Sequence, residues 1–147
     1  MSRPDAVEVL LVEDQAADAR LILRALNGKN LGANVLWLRD GAEALDFLLR
    51  TGPYAARPSN DHLKLVLLDV KLPKVDGIEV LHTIRSTPEL QAVPVVMMTS
   101  SLERRDIARS YETGANSYIV KPVDFDQLID VVQATVVYWL LYNQVPQ

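Results

Sequence analysis

Short runs of apolar and β-branched residues alternate along this chain with segments whose apolar residues recur at helical spacing. The runs predict strands at residues 7–12, 34–38, 65–69, 93–99 and 116–120. The third and fourth runs are almost continuously apolar, which is typical of strands covered by helices on both faces of a sheet. Five strand–helix units in succession predict an α/β fold with a doubly wound parallel sheet.

The helical segments carry recognisable start and stop signals. The fourth helix is predicted over residues 103–113, ended by Gly114, because glycine readily adopts the left-handed conformation that follows a helix. The fifth is predicted to begin after Asp124, a good N-cap, and to reach about residue 142. Residues 51–64 are predicted to form a long loop before the third strand, either a passive insertion or a surface for partner docking.

Composition excludes several classes of function. The chain has 147 residues, enough for one domain, and a formal net charge of −4 without a basic stripe, so no nucleic-acid partner is expected. It has no cysteine, which excludes disulfides and thiolate metal sites and fits a cytoplasmic location. The longest apolar-rich stretch is too short for a bilayer, and no secretion signal is evident, so no membrane association is expected.

The candidate chemistry follows the predicted strands. Glu13 and Asp14 come after the first run and Asp69 ends the third. Thr99 ends the fourth run, and Lys121 follows the fifth. Ligands of open α/β sheets bind at the carboxyl ends of the strands, so these side chains are expected to converge there.

Three converging carboxylates repel one another unless a cation compensates, and Mg²⁺ prefers such oxygen ligands. A lysine and a hydroxyl are suited to bind the oxygens of an anionic group. The set therefore favours phosphoryl transfer. Taken singly, Asp14 is also explained as a helix N-cap and Asp69 as a loop residue, while His62 and His82 are interpreted as surface or packing residues.

These residues lie in motifs that resemble those of response-regulator receiver domains, the phosphoacceptor modules of bacterial two-component signalling. The motifs are Val12-Glu13-Asp14, LLDVKLPKVDG around Asp69, Met98-Thr99-Ser100, and Tyr118 with Lys121-Pro122. The resemblance covers residues 7–135 as a core and leaves 136–147 as an extended fifth helix and tail. It implies a single receiver domain over residues 1–147, with the flavodoxin-like (βα)5 fold and strand order 2-1-3-4-5.

The resemblance implies how the acidic residues act. Asp69 would attack a kinase phosphohistidine and become phosphorylated. Asp14 and Asp69 would bind Mg²⁺ directly, with Mn²⁺ as a substitute, and Glu13 would bind it through water. The backbone carbonyl of Lys71 would be a further ligand. Asp14 and Asp69 are 55 residues apart, more than is usual in the family, and the loop at 51–64 accounts for the excess.

The resemblance also implies a switch. Lys121 would contact the acyl phosphate, aimed by a cis peptide bond to Pro122. Thr99 would move to bond the phosphoryl group, Tyr118 would then turn inward, and the small Ser100 would keep the pocket open. The protein would be no enzyme beyond self-catalysed phosphotransfer and slow autodephosphorylation. Lys71 stands where many relatives have a neutral residue, which leaves the lifetime of the phosphorylated state open.

Three further stretches resemble the single-domain regulators of bacterial phytochrome kinases. They are GPYAARP at 52–58, ARSYETGANSYIVKPVDFDQL at 108–128 and YWLLYNQVP at 138–146. The resemblance implies a histidine kinase partner, a bacteriophytochrome, and a light-sensing phosphorelay. Since little sequence follows the fifth helix, no output domain is expected, and the signal would pass by protein contact or dimerisation.

The fifth helix carries two apolar stripes. The stripe predicted to pack on the sheet comprises Phe125, Leu128, Ile129, Val132, Val136 and Trp139. The stripe on the other side comprises Val131, Ala134, Tyr138, Leu141 and Tyr142. A surface helix of a monomer is polar on its outer side, so the second stripe predicts a homodimer interface. The alternative is a tail that folds back over its own domain.

Other functions are weighed against the same residues. A haloacid-dehalogenase-type phosphohydrolase needs a second acid two residues after its nucleophile, where this chain has Lys71. A flavodoxin needs a phosphate-binding loop after the first strand, where Glu13 and Asp14 would repel a phosphate. A receiver-like interaction module without phosphorylation is disfavoured because Asp14, Asp69, Thr99 and Lys121 are all present.

Overall fold

Strands and helices alternate in the order that the sequence predicts. The computed structural model describes residues 6–28 and 34–146. The strands are β1 (Val9–Val12), β2 (Val35–Leu38), β3 (Leu65–Leu68), β4 (Val95–Thr99) and β5 (Ser117–Val120). The helices are α1 (Ala16–Gly28), α2 (Gly41–Leu49), α3 (Gly77–Ser86), α4 (Arg104–Thr113) and α5 (Phe125–Val137). All five strands are one or two residues shorter than the predicted runs, because the residues that flank them lie outside the sheet.

All five strands are parallel and lie in the order β2-β1-β3-β4-β5. The register aligns Val12 with Leu68, and Leu68 with Met97, so that β1, β3 and β4 end at one edge of the sheet. The strand order changes direction beside β1, the position where ligands bind in doubly wound folds. The predicted fold class and strand order are confirmed.

The core is divided between the two faces of the sheet. Along β1, Leu10 and Val12 pack with α2 and α3, whereas Val9 and Leu11 pack with α1 and α5. This alternation follows from the two-residue period of a strand. Because helices cover both faces, β3 and β4 are buried along their whole length, as their apolar runs predict.

Side-chain caps begin several of the helices. Asp40 accepts a hydrogen bond from the Glu43 N–H at 2.8 Å, and Asp124 accepts one from the Gln127 N–H at 3.0 Å. The helix α4 ends at Gly114, whose φ of 116° is left-handed, as predicted. The helix α1 begins at Ala16, so Asp14 is not adjacent to its first residue and the N-cap explanation for Asp14 is not supported.

The loop at residues 51–64 is fastened to the end of α2. The buried Arg57 guanidinium lies 3.6 Å from the centroid of the Phe47 ring and donates to the Phe47 carbonyl. Asn60 Nδ2 donates to the Leu48 carbonyl at 2.9 Å. Arg50, in the left-handed conformation at φ 58°, donates to the Pro58 carbonyl at 2.7 Å. These contacts give the loop a defined shape, and its partner-docking role stays a prediction.

The outer stripe of α5 is mostly exposed. Buried positions on the sheet side include Leu128, Val132 and Val136, as predicted. The prediction for Phe125 is wrong: its side chain is 68 % exposed, because it is the first residue of α5 and precedes the first buried position. Val131 is half-buried against the core rather than fully outward.

A π-helical turn, Tyr138–Tyr142, extends α5 to the predicted residue 142. Tyr138, Leu141 and Tyr142 are 50, 60 and 70 % exposed. Beyond this turn Val145 and Pro146 border a cavity of about 280 Å³ beside Leu63 and Pro94, at the amino edge of the sheet. The end of the tail therefore folds back on its own domain, while the aromatic turn faces outward. No helix within residues 6–28 and 34–146 has the length and apolar character to cross a membrane.

Candidate functional site

The carboxyl edge of the sheet brings the predicted acidic residues together. Carboxylate oxygens of Glu13, Asp14 and Asp69 lie within 4.8 Å of one another. Thr99 and Lys121 line the same pocket, an open depression of about 530 Å³. Such a cluster of acidic oxygens fits a hard divalent cation, because at this spacing one ion can contact all three carboxylates. Among the residues that the structure describes, this is the one cluster of three or more acidic side chains whose oxygens are close enough to share a metal ion.

Lys121 lies at the centre of the pocket and is nearly inaccessible, with 5 % of its side chain exposed. Its ammonium donates to Glu13 Oε1, to Asp69 Oδ2 at 3.1 Å and to Asp18 Oδ2 at 3.0 Å. An ammonium has three N–H bonds, so each of them has its own carboxylate. The predicted convergence of Lys121 with the acids is confirmed, and a fourth carboxylate joins them.

Asp18 was not among the predicted site residues. It lies in the first turn of α1, and its side chain is 32 % exposed. An acidic residue in a first turn is ordinarily explained by the helix dipole. The sequence pattern does not distinguish Asp18 from an ordinary surface acid, because only the folded structure shows that Asp18 contacts Lys121.

Burial and neighbouring charges shift the pKa values of the pocket. Burial raises the pKa of Glu13 to about 7, and the charge of Asp69 adds to this, although the hydrogen bond from Lys121 opposes it. Burial alone would lower the pKa of Lys121, but the attraction of Asp69 and the hydrogen bonds to Glu13 and Asp18 keep that pKa above its usual value. The ammonium therefore stays charged among carboxylates that outnumber it.

Two backbone contacts fix the loop that carries the first acids. Trp37 Nε1, on the neighbouring strand β2, donates to the Glu13 carbonyl at 2.8 Å. The Gln15 N–H donates to Glu13 Oε2 at 3.0 Å. Trp37 was not among the predicted site residues either, because only the register of β2 against β1 places its ring over this loop.

A close backbone approach holds the loop of the third acid. A side chain at Gly77 would place its Cβ 1.9 Å from the Asp69 carbonyl oxygen. Glycine at this position of the LLDVKLPKVDG motif is therefore required by the packing of α3 against the Asp69 loop.

The predicted switch residues form a connected layer beside the pocket. Thr99 is buried, and its hydroxyl oxygen accepts a hydrogen bond from the Ser101 N–H at 3.3 Å. The Tyr118 hydroxyl donates to the Ser101 carbonyl at 2.9 Å, and its half-buried ring packs against the core. Ser100 is exposed at the mouth of the pocket. The expected movements of Thr99 and Tyr118 stay predictions.

The side chain of Lys71 crosses the mouth of the pocket. It is 62 % exposed, and its Nζ lies 3.5 Å from Glu103 Oε1 in the loop before α4. Exposed pairs of this kind contribute about 0–1 kcal/mol. The position two residues after Asp69 thus holds a cation paired with an acid, and it supplies no second acid for a dehalogenase-type hydrolysis.

The predicted cis peptide bond before Pro122 is wrong. Every peptide bond within residues 6–28 and 34–146 is trans. The Lys121 N–H donates to the Thr99 carbonyl at 2.7 Å, and the side chain reaches its carboxylates from this trans arrangement. A cis bond is therefore not needed to aim the ammonium. His62 and His82, by contrast, are exposed, in keeping with their interpretation as surface residues.

Comparison with known sequences identifies one family that matches most of the chain. The response regulator receiver domain family matches residues 9–133. A probable methanogenesis regulatory protein, FilR2 of Methanothrix harundinacea, is 43 % identical over 97 % of this chain and 89 % of its own length. The response regulator Rcp1 of Synechocystis sp. is 40 % identical over 95 % of this chain and 92 % of its own length.

Solved structures of response regulators superpose closely on this chain. The phosphorylated cyanobacterial phytochrome response regulator RcpA superposes with a TM-score of 0.89 at 39 % identity, covering 96 % of this chain and 99 % of RcpA. The Mn²⁺-bound form of Rcp1 superposes with a TM-score of 0.87 at 38 % identity, with the same coverage of 96 % and 99 %. The resemblance to phytochrome-linked regulators that the sequence motifs predict is confirmed.

Proposed function

The chain belongs to the response regulator receiver domain family, and from that premise we propose that Asp69 accepts a phosphoryl group from the phosphohistidine of a histidine kinase. One observation carries the proposal: the buried Asp69 carboxylate borders the open pocket and is held by Lys121. In the transfer, an Asp69 carboxylate oxygen attacks phosphorus, the P–N bond breaks, and the imidazole leaves with the electron pair.

The side chains of the pocket have separate tasks in this proposal. Lys121 holds Asp69 and then neutralises a phosphoryl oxygen. The Thr99 hydroxyl donates to another phosphoryl oxygen, and Tyr118 follows the moving loop inward. A bound Mg²⁺, or Mn²⁺ in its place, would neutralise charge on the phosphoryl group. Asp14, Asp69, Glu13 through water and the backbone carbonyl of Lys71 would hold that ion.

The partner in this proposal is a bacterial phytochrome kinase in a light-sensing phosphorelay. The similarity to RcpA, described as a phytochrome response regulator, supports it. FilR2 has a name that refers to methanogenesis instead, so the input signal is the part of the proposal that needs its own experiment. The proposal further holds that residues 1–147 act as a single receiver domain in the cytoplasm, without nucleic acid, and catalyse only their own phosphorylation and slow dephosphorylation.

The proposal includes a homodimer built on the outer face of α5. The residues concerned are Val131, Ala134, Tyr138, Leu141 and Tyr142. Three of them are large and at least half exposed. An apolar patch of this kind on a surface helix supports an interface between copies. Half-buried Val131 would lie at its edge.

Incubation with acetyl phosphate and Mg²⁺ tests the phosphoacceptor role. We expect one phosphoryl group per chain on the wild-type protein and on Asp61→Asn, which removes an exposed carboxylate on the loop at 51–64. Asp69→Asn is expected to take none, because an amide is a poor nucleophile. Equal labelling of Asp69→Asn and wild type would refute the proposal.

Phosphotransfer profiling tests the partner. Phosphorylated phytochrome kinases and phosphorylated kinases without a light-sensing domain are each mixed with the protein for short times. We expect transfer from the phytochrome kinases to be the fastest. Faster transfer from a kinase of the other class would remove the light-sensing part of the proposal and leave the phosphoacceptor part in place.

A further inference from the structure

Asp18 differs from the other carboxylates around Lys121. Glu13 and Asp69 also belong to the acidic cluster that fits a divalent cation, whereas Asp18 does not. Its Oδ2 lies 3.0 Å from the Lys121 Nζ, a distance similar to the 3.1 Å of Asp69 Oδ2. Asp18 therefore binds the ammonium from a position outside the cluster.

Loading the pocket creates competition for the other two partners of Lys121. A bound divalent cation would take a carboxylate lone pair of Asp69 directly and engage Glu13 through water, and phosphorylation would convert the Asp69 carboxylate into an acyl phosphate. The ammonium sits at the end of a flexible four-carbon stem, so it needs a fixed acceptor to stay in place. Asp18 offers such an acceptor from the first turn of α1, a helix that packs on the sheet.

We propose that Asp18 is a positioning residue, which holds the Lys121 ammonium beside Asp69 while the metal ion and the phosphoryl group occupy the other carboxylates. This inference rests on the proposed function and adds a residue to it. Asp18 touches neither the reacting oxygen nor the metal-binding cluster; it acts through Lys121.

A charge effect would have the opposite sign from a positioning effect. If Asp18 acted only by its negative charge, its removal would favour the anionic phosphoryl donor, and Asp18→Asn and Asp18→Ala would both react faster than wild type. If Asp18 positions Lys121, wild type reacts fastest, Asp18→Asn more slowly, and Asp18→Ala most slowly. The reason is that an Asn side-chain carbonyl still accepts a hydrogen bond, whereas Ala offers no acceptor.

The kinetic experiment measures phosphorylation of Asp69 by acetyl phosphate at saturating Mg²⁺, so that differences in metal affinity drop out. We expect Asp18→Ala to react about tenfold more slowly, the effect of one charge-assisted hydrogen bond, with Asp18→Asn in between. The matched control is Asp126→Asn, which removes an exposed acidic residue from the first turn of α5. It is expected to react at the wild-type rate.

A spectroscopic experiment detects the position of Lys121 directly. The ¹H–¹⁵N signal of a buried, hydrogen-bonded lysine ammonium is recorded on the Mg²⁺-loaded protein without a phosphoryl donor. We expect the Lys121 signal to persist in wild type and in Asp126→Asn, and to broaden or vanish in Asp18→Ala as the ammonium becomes mobile. Thermal unfolding of each variant confirms that it is folded.

The outcomes separate the two proposals. If wild type is phosphorylated and Asp18→Ala reacts as fast or faster, with an unchanged ammonium signal, the inference on Asp18 is wrong and the phosphoacceptor function stands. If wild type takes no phosphoryl group, the function fails, and the ammonium signal still decides whether Asp18 holds Lys121 in the metal-loaded pocket.

Discussion

The pocket at the carboxyl edge of the sheet and the outer face of α5 depart from the ordinary soluble domain in opposite ways. The pocket buries charge: the side chains of Lys121 and Asp69 are 5 and 8 % exposed. The outer face of α5 exposes apolar groups, with Leu141 and Tyr142 at 60 and 70 %. Buried charge needs a partner inside the molecule or a bound ion, and exposed apolar surface needs a partner outside it. Substitutions in the pocket should therefore change stability in a pH- and metal-dependent manner, and those on α5 should change association.

The largest effect is expected at Lys121. Lys121→Met replaces the ammonium by an apolar group of similar length and leaves the carboxylates of Glu13, Asp18 and Asp69 facing one another. Removing one partner of a buried charge network costs about 3–5 kcal/mol. We expect a loss of this size at pH 8 by urea unfolding, with much of it regained on adding Mg²⁺. A variant as stable as wild type in metal-free buffer would show that the ammonium does not compensate these carboxylates.

The pH dependence of the metal-free protein comes next in size. The pKa of Glu13 rises from 4.5 to about 7 on folding, so between these pH values the folded protein binds more protons than the unfolded chain. Its free energy of unfolding therefore falls as pH rises through that window, by about 1–3 kcal/mol. Glu13→Gln cannot titrate and should flatten the slope. If the free energy of unfolding of Glu13→Gln falls with pH as steeply as that of wild type, another group causes the pH dependence.

Metal binding should respond most clearly to Asp14. Asp14→Asn removes one of the clustered charges, so we expect the metal-free protein to gain up to about 1 kcal/mol from reduced repulsion. Mg²⁺ affinity should fall about tenfold or more, measured by calorimetry, because a carboxylate ligand is lost. Wild-type affinity in this variant would contradict the assignment of Asp14 as a metal ligand.

Substitutions on the outer face of α5 should have the smallest effect on stability and a large effect on association. At a protein concentration low enough for the wild type to be monomeric, Tyr138→Asp combined with Leu141→Asp is expected to change the free energy of unfolding by only about 0.5 kcal/mol, as at other surface positions. Light scattering should show a wild-type dimer and a variant monomer at tens of micromolar, both of which accept phosphate at Asp69. A wild type that runs as a 16.4 kDa monomer would refute the dimer.

The same comparison explains which features the sequence could predict. The pocket residues follow the strands directly, and parallel strands end at a common edge, so Glu13, Asp14, Asp69, Thr99 and Lys121 could be brought together from their positions alone. Asp18 and Trp37 could not, since their places depend on how α1 packs beside Lys121 and on the register of β2. Helical periodicity placed most of α5 correctly, but it failed for Phe125, where the helix has only begun.

The phosphoacceptor role of Asp69 is tested most directly by locating the modified residue. The protein is phosphorylated with acetyl phosphate and Mg²⁺ and treated with hydroxylamine, which attacks the acyl carbon, releases phosphate and leaves a hydroxamate on the side chain. Peptide mapping by mass spectrometry then identifies that side chain. We predict a hydroxamate on Asp69 and on no other carboxylate of the pocket. A hydroxamate on Glu13, Asp14 or Asp18, or a phosphoryl group that resists hydroxylamine, would contradict the account.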